Sequence, residues 1–140
     1  MSPDSSLLYA PRELYQAAEA YGPDGRTAYV TARFTFDLVW PLAYAFFLST
    51  GISWLLVRTL PEHSLWQTAN LTPLFAASFD AMENVATSLV MVRYPARTPG
   101  IAAAAPVFTF LKWLLIGASF AFLLIGVLLG LLRAARENLR

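Results

Sequence analysis

The fold of this chain follows from one stretch near its middle, Phe79-Asp80-Ala81-Met82-Glu83-Asn84-Val85-Ala86-Thr87, which lies inside an otherwise apolar segment. Its polar side chains follow the spacing i, i+3, i+4, i+7: Asp80, Glu83, Asn84 and Thr87. On a helix, side chains with this spacing share one face. Carboxylates inside an apolar helix are costly in lipid and are usually turned toward other helices. The stretch therefore predicts a buried acidic site in a small membrane protein.

The composition also indicates an integral membrane protein. Of the 140 residues, 57% are hydrophobic and 14% are charged, and the mean hydropathy is +0.52. Soluble domains contain about 45–50% apolar and about 25% charged residues. The net charge of +1 gives no indication of nucleic-acid binding. The absence of cysteine excludes disulfides, thiolate metal sites and a cysteine nucleophile.

The first segment, residues 7–21, is predicted to be an amphipathic helix that lies at the membrane interface and does not cross it. Pro11 suits the first turn of a helix, and several apolar side chains share one side while charged side chains occupy the other. The Tyr-Gly-Pro-Asp-Gly sequence at 21–25 has the residues typical of a turn. We therefore expect the helix to end there.

Three apolar segments follow, and they predict an all-α bundle of three transmembrane helices in a single domain, residues 1–140. The segments are 31–57, 71–92 and 102–132, followed by a basic tail, 133–140. Each is long enough to cross a hydrocarbon core of about 30 Å. The second span carries the acidic stretch. The free energy needed to insert its acids into the membrane roughly cancels the favourable contribution of its apolar side chains. We therefore expect this span to depend on neighbouring helices that cover its polar face.

The start of the third span is ambiguous in the sequence. Counting about twenty residues back from Arg133 places the span near 113–132, with Lys112 as an interface anchor. Residues 101–111, which contain Pro106, would then form a separate interfacial or kinked element and a possible fourth helix. Alternatively, one long tilted helix begins near Ala102 and draws Lys112 inward. We favour the first interpretation, because a lysine near a helix end usually extends its ammonium group to the interface.

The first span carries charges at a matching depth. Arg33 and Asp37 lie one helical turn apart, and Pro41 leaves the carbonyl group of Asp37 without its helical donor, which predicts a kink. The first two spans run antiparallel, and a helix rises about 1.5 Å per residue. Asp37 and Glu83 are therefore expected in the same half of the bilayer, about 10–14 Å from the surface on the amino-terminal side.

These positions predict one polar pocket that is open to the amino-terminal side. The candidate ligand-binding residues come from all three spans: Arg33, Asp37, Tyr44, Asp80, Glu83, Asn84, Thr87 and Lys112. Three acids this close should not all be ionised in a low dielectric, which suits proton binding or a general acid and base. The candidate catalytic residues are accordingly Asp37, Asp80 and Glu83. No metal site and no cofactor is predicted, because the sequence contains none of the usual zinc, nucleotide or serine–histidine motifs.

The motifs Asp37-x-x-x-Pro41-x-x-Tyr44, Phe79-Asp80-x-x-Glu83-Asn84 and Tyr94-Pro95 carry a resemblance. They are similar to those of a group of small bacterial multi-pass membrane proteins without a settled activity, over about residues 21–112. More distantly, the chain resembles the sterol-isomerase and sigma-2-receptor class of membrane folds, whose members have four or more spans and also place acids inside a small helical bundle. The second resemblance implies an apolar or lipid ligand.

Three classes of function are compatible with these observations. The leading hypothesis is binding of a lipid-like or cationic ligand, or of protons, at the acidic pocket. The alternatives are a lipid-modifying enzyme that uses intramembrane carboxylates as acid and base, and a non-catalytic subunit of a larger membrane complex or homo-oligomer. We expect membrane lipids and no nucleic acid as partners. The resemblance and the balance of basic residues favour the bacterial inner membrane, with a cytoplasmic amino terminus.

Overall fold

The computed structural model describes residues 9–137, and every secondary-structure element in this range is helical. In chain order the elements are α1 (Pro11–Arg33), α2 (Phe36–Thr59), a 3-10 helix (Leu65–Leu71), α3 (Thr72–Arg93) and α4 (Pro99–Glu137). α3 has its most extensive contacts with α4 and also packs against α1 and α2. The most polar of the predicted spans is therefore covered by the three other α-helices. The predictions for residues 7, 8 and 138–140 lie outside the described residues.

α1 is longer than the predicted interfacial helix and is bent in the middle. Gly22 adopts φ 64° and ψ −179°, the left-handed φ that glycine tolerates best, and Pro23 then begins a second helical part. The predicted turn at 21–25 is therefore a bend between two helical parts and not the end of the helix. The guanidinium group of Arg26 spans this bend and donates to the carbonyl oxygen of Ala18 at 3.0 Å.

The first half of α1 packs one side against the bundle, while polar side chains on its other side, such as Glu13 and Glu19, are exposed. That this helix lies at the membrane interface stays a prediction. Leu14 and Ala18 are fully buried among residues of α3 and α4. The hydroxyl group of Thr109 lies 3.4 Å from that of Tyr9, just before α1. Burial raises the pKa of Tyr9 to about 12. The apolar side of this helix serves protein packing.

The first predicted span, 31–57, crosses a helix boundary. Residues 31–33 belong to α1, the helix breaks at Phe34 and Thr35, and α2 begins at Phe36. The hydroxyl group of Thr35 donates to the carbonyl oxygen of Thr31 at 2.7 Å, a bond typical of threonines that bend helices. α2 continues through Pro41 with helical backbone geometry on both sides. The break therefore lies before the proline and not at it.

The bounds of α3 agree with the second predicted span, 71–92, within one residue at each end. The loop predicted at 58–70 contains the 3-10 helix, and the hydroxyl group of Ser64 accepts from the backbone N–H of Trp66 at its start. Thr72 is the first residue of the helix and Pro73 the second. Proline at the second helical position agrees with its preference for the first turn.

α4 is one continuous helix of 39 residues, so the preferred interpretation of a separate element at 101–111 is wrong. Pro106 lies inside the helix without interrupting it, and the predicted tail continues the same helix to Glu137. At about 1.5 Å per residue, α4 is about 58 Å long and exceeds a hydrocarbon core of about 30 Å. The alternative with one long helix, which draws Lys112 inward, is the one that the structure adopts.

Two apolar clusters stabilise the bundle and are separated along α4. The first contains residues of α1, the second half of α3 and the start of α4: Tyr9, Leu14, Ala18, Ala86, Val90, Met91, Ala102 and Ala105. The second contains residues of α2 and the 3-10 helix: Leu48, Ile52, Leu56 and Ala69, with Phe122 and Leu123 of α4 packed against them. Lys112 lies between these two groups in the sequence of α4. Charged side chains therefore occupy the middle of the bundle.

Two stretches are long and apolar enough to cross a membrane, Pro11–Thr59 (α1 with α2) and α4. Only 22% and 11% of their most apolar windows are buried. A core helix of a soluble protein would be mostly buried, whereas here large apolar side chains such as Phe36, Trp40 and Phe46 are exposed. α3 is not one of these two stretches. This agrees with the expectation that its acidic side chains make insertion into a membrane unfavourable. The exposed apolar helices suggest membrane association.

The contact between α2 and α4 depends on Gly126. A Cβ atom at this position would lie 2.9 Å from Cβ of Leu55, whereas a Cβ atom at Gly117 would have no neighbour within 4 Å. We expect Gly126→Ala to push the helices apart and to lower the free energy of unfolding by about 1–3 kcal/mol. Gly117→Ala, the matched control, should leave stability unchanged or raise it by about 0.5–1 kcal/mol. Thermal unfolding followed by circular dichroism in detergent measures both, and equal shifts would contradict the packing.

Candidate functional site

The centre of the bundle contains an ion-pair cluster formed by α3 and α4. Nζ of Lys112 lies 2.8 Å from Oδ1 of Asp80 and 2.6 Å from Oε2 of Glu83. The exposed fractions of these side chains are 8% for Lys112, 13% for Asp80 and 1% for Glu83. Oε1 of Glu83 has no hydrogen-bond partner among residues 9–137. One ammonium group is thus enclosed with two carboxyl groups.

A second ion pair lies at the junction of α1 and α2. Nη1 of Arg33 lies 3.1 Å from Oδ2 of Asp37, and the same nitrogen donates to Oδ1 of Asn84 at 3.3 Å. The guanidinium group is buried, whereas 35% of the Asp37 side chain is exposed. Because Asn84 follows Glu83 on α3, this pair adjoins the lysine cluster. Asp37 is the member that reaches the protein surface.

We call these residues the polar layer: Arg33, Asp37, Asp80, Glu83, Asn84 and Lys112. All four α-helices contribute to it. The i, i+3, i+4 spacing of α3 turns its three members toward the bundle, while Met82 and Val85 on the same helix are exposed. The structure therefore brings together the charged side chains that the sequence analysis had grouped by depth, although Arg33 lies on α1 and not on the first span.

Two further candidates, Thr87 and Tyr44, lie beside the polar layer in different ways. The hydroxyl group of Thr87 is buried and donates to the backbone oxygen of Glu83 at 2.9 Å. It also forms a side-chain hydrogen bond with Tyr29 of α1. The hydroxyl group of Tyr44 on α2 is buried without a hydrogen-bond partner in the described part of the chain. Thr87 therefore has a structural role, and Tyr44 retains an unused donor.

Tyr29 is the residue that the sequence analysis missed. Its ring lies under the guanidinium group of Arg33, with Cζ 4.7 Å from the ring centroid, and its hydroxyl group bonds to Thr87. The spacing of Tyr29 and Arg33 indicates a contact between them, because residues one helical turn apart are neighbours on a helix surface. Local pattern does not place Tyr29 on a helix, because residues 22–30 begin within the turn sequence at 21–25 and precede the first predicted span.

The position of Lys112 corrects the preferred prediction that this residue anchors the helix at the interface. Its side chain lies in the bundle because α4 continues without a break from Pro99, and this places Lys112 about 20 Å along the helix. A lysine at that depth cannot extend its ammonium group to either end. Its charge is balanced instead by the two acids of α3.

The polar layer is closed and not an open pocket. The main grooves of the described chain, with volumes between about 250 and 490 Å³, are lined by residues outside the polar layer. Lys112 fills the space between the two acids of α3. In residues 9–137, no group of three or more histidine, aspartate or glutamate side chains is arranged to hold a metal ion.

Removal of the lysine tests the cluster. We expect Lys112→Met to lower the free energy of unfolding by about 3–5 kcal/mol, because the buried carboxyl pair loses its counter-charge. In the background Asp80→Asn/Glu83→Gln, the same substitution should cost clearly less. Arg133→Gln, which removes a largely exposed ion pair with Glu137, is the control and should cost about 0–1 kcal/mol. Chemical denaturation in detergent measures these changes, and an equal cost in both backgrounds would show that the groups do not interact.

Comparisons with known proteins assign no family to this arrangement. No protein-family model, no curated protein and no solved structure matches the chain. The resemblance based on the Asp80-x-x-Glu83-Asn84 motif therefore stays a prediction. The function has to be inferred from the chemistry of the polar layer.

Proposed function

We propose that this chain is a membrane-embedded helical protein that binds a proton at the carboxyl pair of Asp80 and Glu83. The observation that carries the proposal is the single ammonium group of Lys112, at 2.8 and 2.6 Å from two carboxyl groups inside the bundle. Two apolar stretches, α1 with α2 and α4, support the membrane placement. We propose that α2, α3 and α4 span the membrane, since α3 packs against both of the other two, and that α1 packs against them.

The membrane placement accounts for the distribution of polarity in α3. Its charged and amide side chains face the other helices, whereas its large apolar side chains are exposed: Leu74, Phe75, Met82, Val85, Leu89 and Val92. In water this arrangement would expose a broad apolar face at a considerable cost. In lipid the same face is favourable, and the polar side chains are shielded by protein.

The count of charges favours a bound proton. Arg33 and Lys112 supply two positive charges to the polar layer, and Asp37, Asp80 and Glu83 supply three carboxyl groups. Arg33 pairs with Asp37 and also interacts electrostatically with Glu83 and Asp80. With all three carboxyl groups ionised, the polar layer would carry one excess negative charge. An uncompensated charge in a low-dielectric interior costs several kcal/mol, and one shared proton removes it.

A proton fits this site better than a metal or organic cation does. Lys112 already occupies the space between the two acids that a small cation would need, and the polar layer lines none of the main grooves. A proton requires no additional volume. Asp37, which is partly exposed, provides a polar approach through Arg33 and Asn84. Carboxyl groups such as that of Asp37 are typical members of proton relays in membrane proteins, whereas Arg33 and Asn84 hold it in place and do not pass on a proton.

Infrared difference spectroscopy tests the proposal. The full chain in lipid vesicles should show the C=O stretching band of a protonated carboxyl group at neutral pH, and the band should disappear at alkaline pH. Asp80→Asn and Glu83→Gln should each remove the band, because Lys112 balances the one carboxylate that remains. Glu137→Gln removes an exposed acid of α4 and should leave the band unchanged.

Two results would contradict proton binding. One is the absence of any pH-dependent carboxyl band in the unsubstituted protein. The other is a band that persists in both the Asp80→Asn and the Glu83→Gln variants, since the proton would then reside elsewhere.

A further inference from the structure

We propose that the carboxyl-terminal ends of α2 and α4 form a binding site for the phosphate group of an anionic phospholipid. We call it the arginine site and define it by Arg58, Arg133 and Arg136. It lies far from the polar layer, at the opposite end of α2 from Asp37. The inference rests on the membrane placement proposed above, but it does not depend on proton binding.

The site is assembled by a close approach of the two helices. Gly126 of α4 packs against the side chain of Leu55, and one turn later Gly130 lies beside Thr59. This contact brings together two arginines that are 75 positions apart in the chain. Nη1 of Arg133 donates to the backbone oxygen of Arg58 at 2.6 Å. The guanidinium group is thus held at the last turn of α2, where helix carbonyl groups lack their own donors.

Arg58 is oriented by a tryptophan on the same helix. Its Cζ lies 4.2 Å from the ring centroid of Trp54, and its Nη1 donates to the backbone oxygen of that residue at 3.2 Å. Tryptophan is enriched at the level of lipid headgroups. The stacked guanidinium group is therefore placed where the phosphate groups of a bilayer lie. Both arginines are exposed, and a guanidinium group has five N–H donors, so donors remain for a phosphate.

Arg133 also borders two grooves that give the site its amphiphilic character. The first has a volume of about 450 Å³, and its walls include Leu55, Val127 and Leu131 next to Arg58. The second, of about 490 Å³, combines leucines of α4 with Arg136. Each groove therefore joins a cationic end to an apolar wall. Free phosphate would use only the cationic end, whereas a phospholipid would use both, and this difference is why we assign the site to a lipid.

The charge balance of the site favours an anion. Three arginines border the two grooves, and the acid among the lining residues is Glu137. Oε1 of Glu137 lies 3.7 Å from Nε of Arg133, and the two side chains are 72% and 61% exposed. An exposed pair with this geometry contributes little to stability, so a phosphate can replace the carboxylate at small cost.

Electron paramagnetic resonance of spin-labelled lipids tests the site. The full chain is placed in phosphatidylcholine vesicles that contain a trace of labelled phosphatidylglycerol or labelled phosphatidylcholine. The fraction of motionally restricted label gives the preference of the protein for the anionic lipid. We expect the double variant Arg58→Gln/Arg133→Gln to reduce this preference roughly tenfold. The matched control, Arg93→Gln/Arg97→Gln, removes two exposed arginines near the other end of the bundle and should leave it unchanged.

Several results would overturn the arginine site. These are no preference for phosphatidylglycerol, an equal loss in both double variants, or displacement of the labelled lipid by soluble glycerol phosphate at the concentration at which phosphatidylglycerol displaces it. The last result would mean an anion site without a lipid. Protein that does not enter the vesicles would contradict the membrane placement and the arginine site together. Glu83→Gln should keep the lipid preference, so a failure of proton binding is distinguishable.

Discussion

The rest of the structure depends on the ion pairs that Lys112 makes with Asp80 and Glu83. A single one of these charged groups, buried in an apolar medium without a partner, would cost several kcal/mol of free energy. α3 and α4 must therefore pack in the register that brings Lys112 next to Asp80 and Glu83. α3 and α4 accordingly form the most extensive helix contact in the bundle. The ion pairs add little net stability compared with apolar side chains of equal volume. They do define one register for the two helices, and a shift by one turn would leave charges without partners.

The arrangement reverses the usual distribution of polarity in a soluble protein. Charged and amide groups lie in the middle of the bundle between two apolar clusters, and large apolar side chains cover much of the outside. Such a bundle suits surroundings without water, which is the physical basis of the membrane placement that we propose. The break between α1 and α2 fits the same scheme, because it allows Arg33 to reach both Asp37 and Asn84.

Several features of the fold and of the candidate site were predictable from local pattern. The bounds of α3 follow from its apolar run and its flanking turn residues, and the shared face of Asp80, Glu83 and Asn84 follows from helical periodicity. The path of α1 was not predictable in this way. Gly22 and Pro23 are typical turn residues, and only contacts with α3 and α4 show that the chain resumes a helix after them. The role of Tyr29 was missed for the same reason.

The sequence by itself determined that this chain is helical, that it contains long apolar segments, which predicted three spans, and that one helix carries its acids on a single face. These properties depend on composition and on the 3.6-residue period, which are local. Only the tertiary structure decided where the side chain of Lys112 lies, because the sequence is compatible both with an interface anchor and with a buried counter-ion. The continuity of α4 through Pro106 and the position of α3 against it selected the second. Which charges neutralise one another is a property of the packed bundle, since the partners come from four different helices.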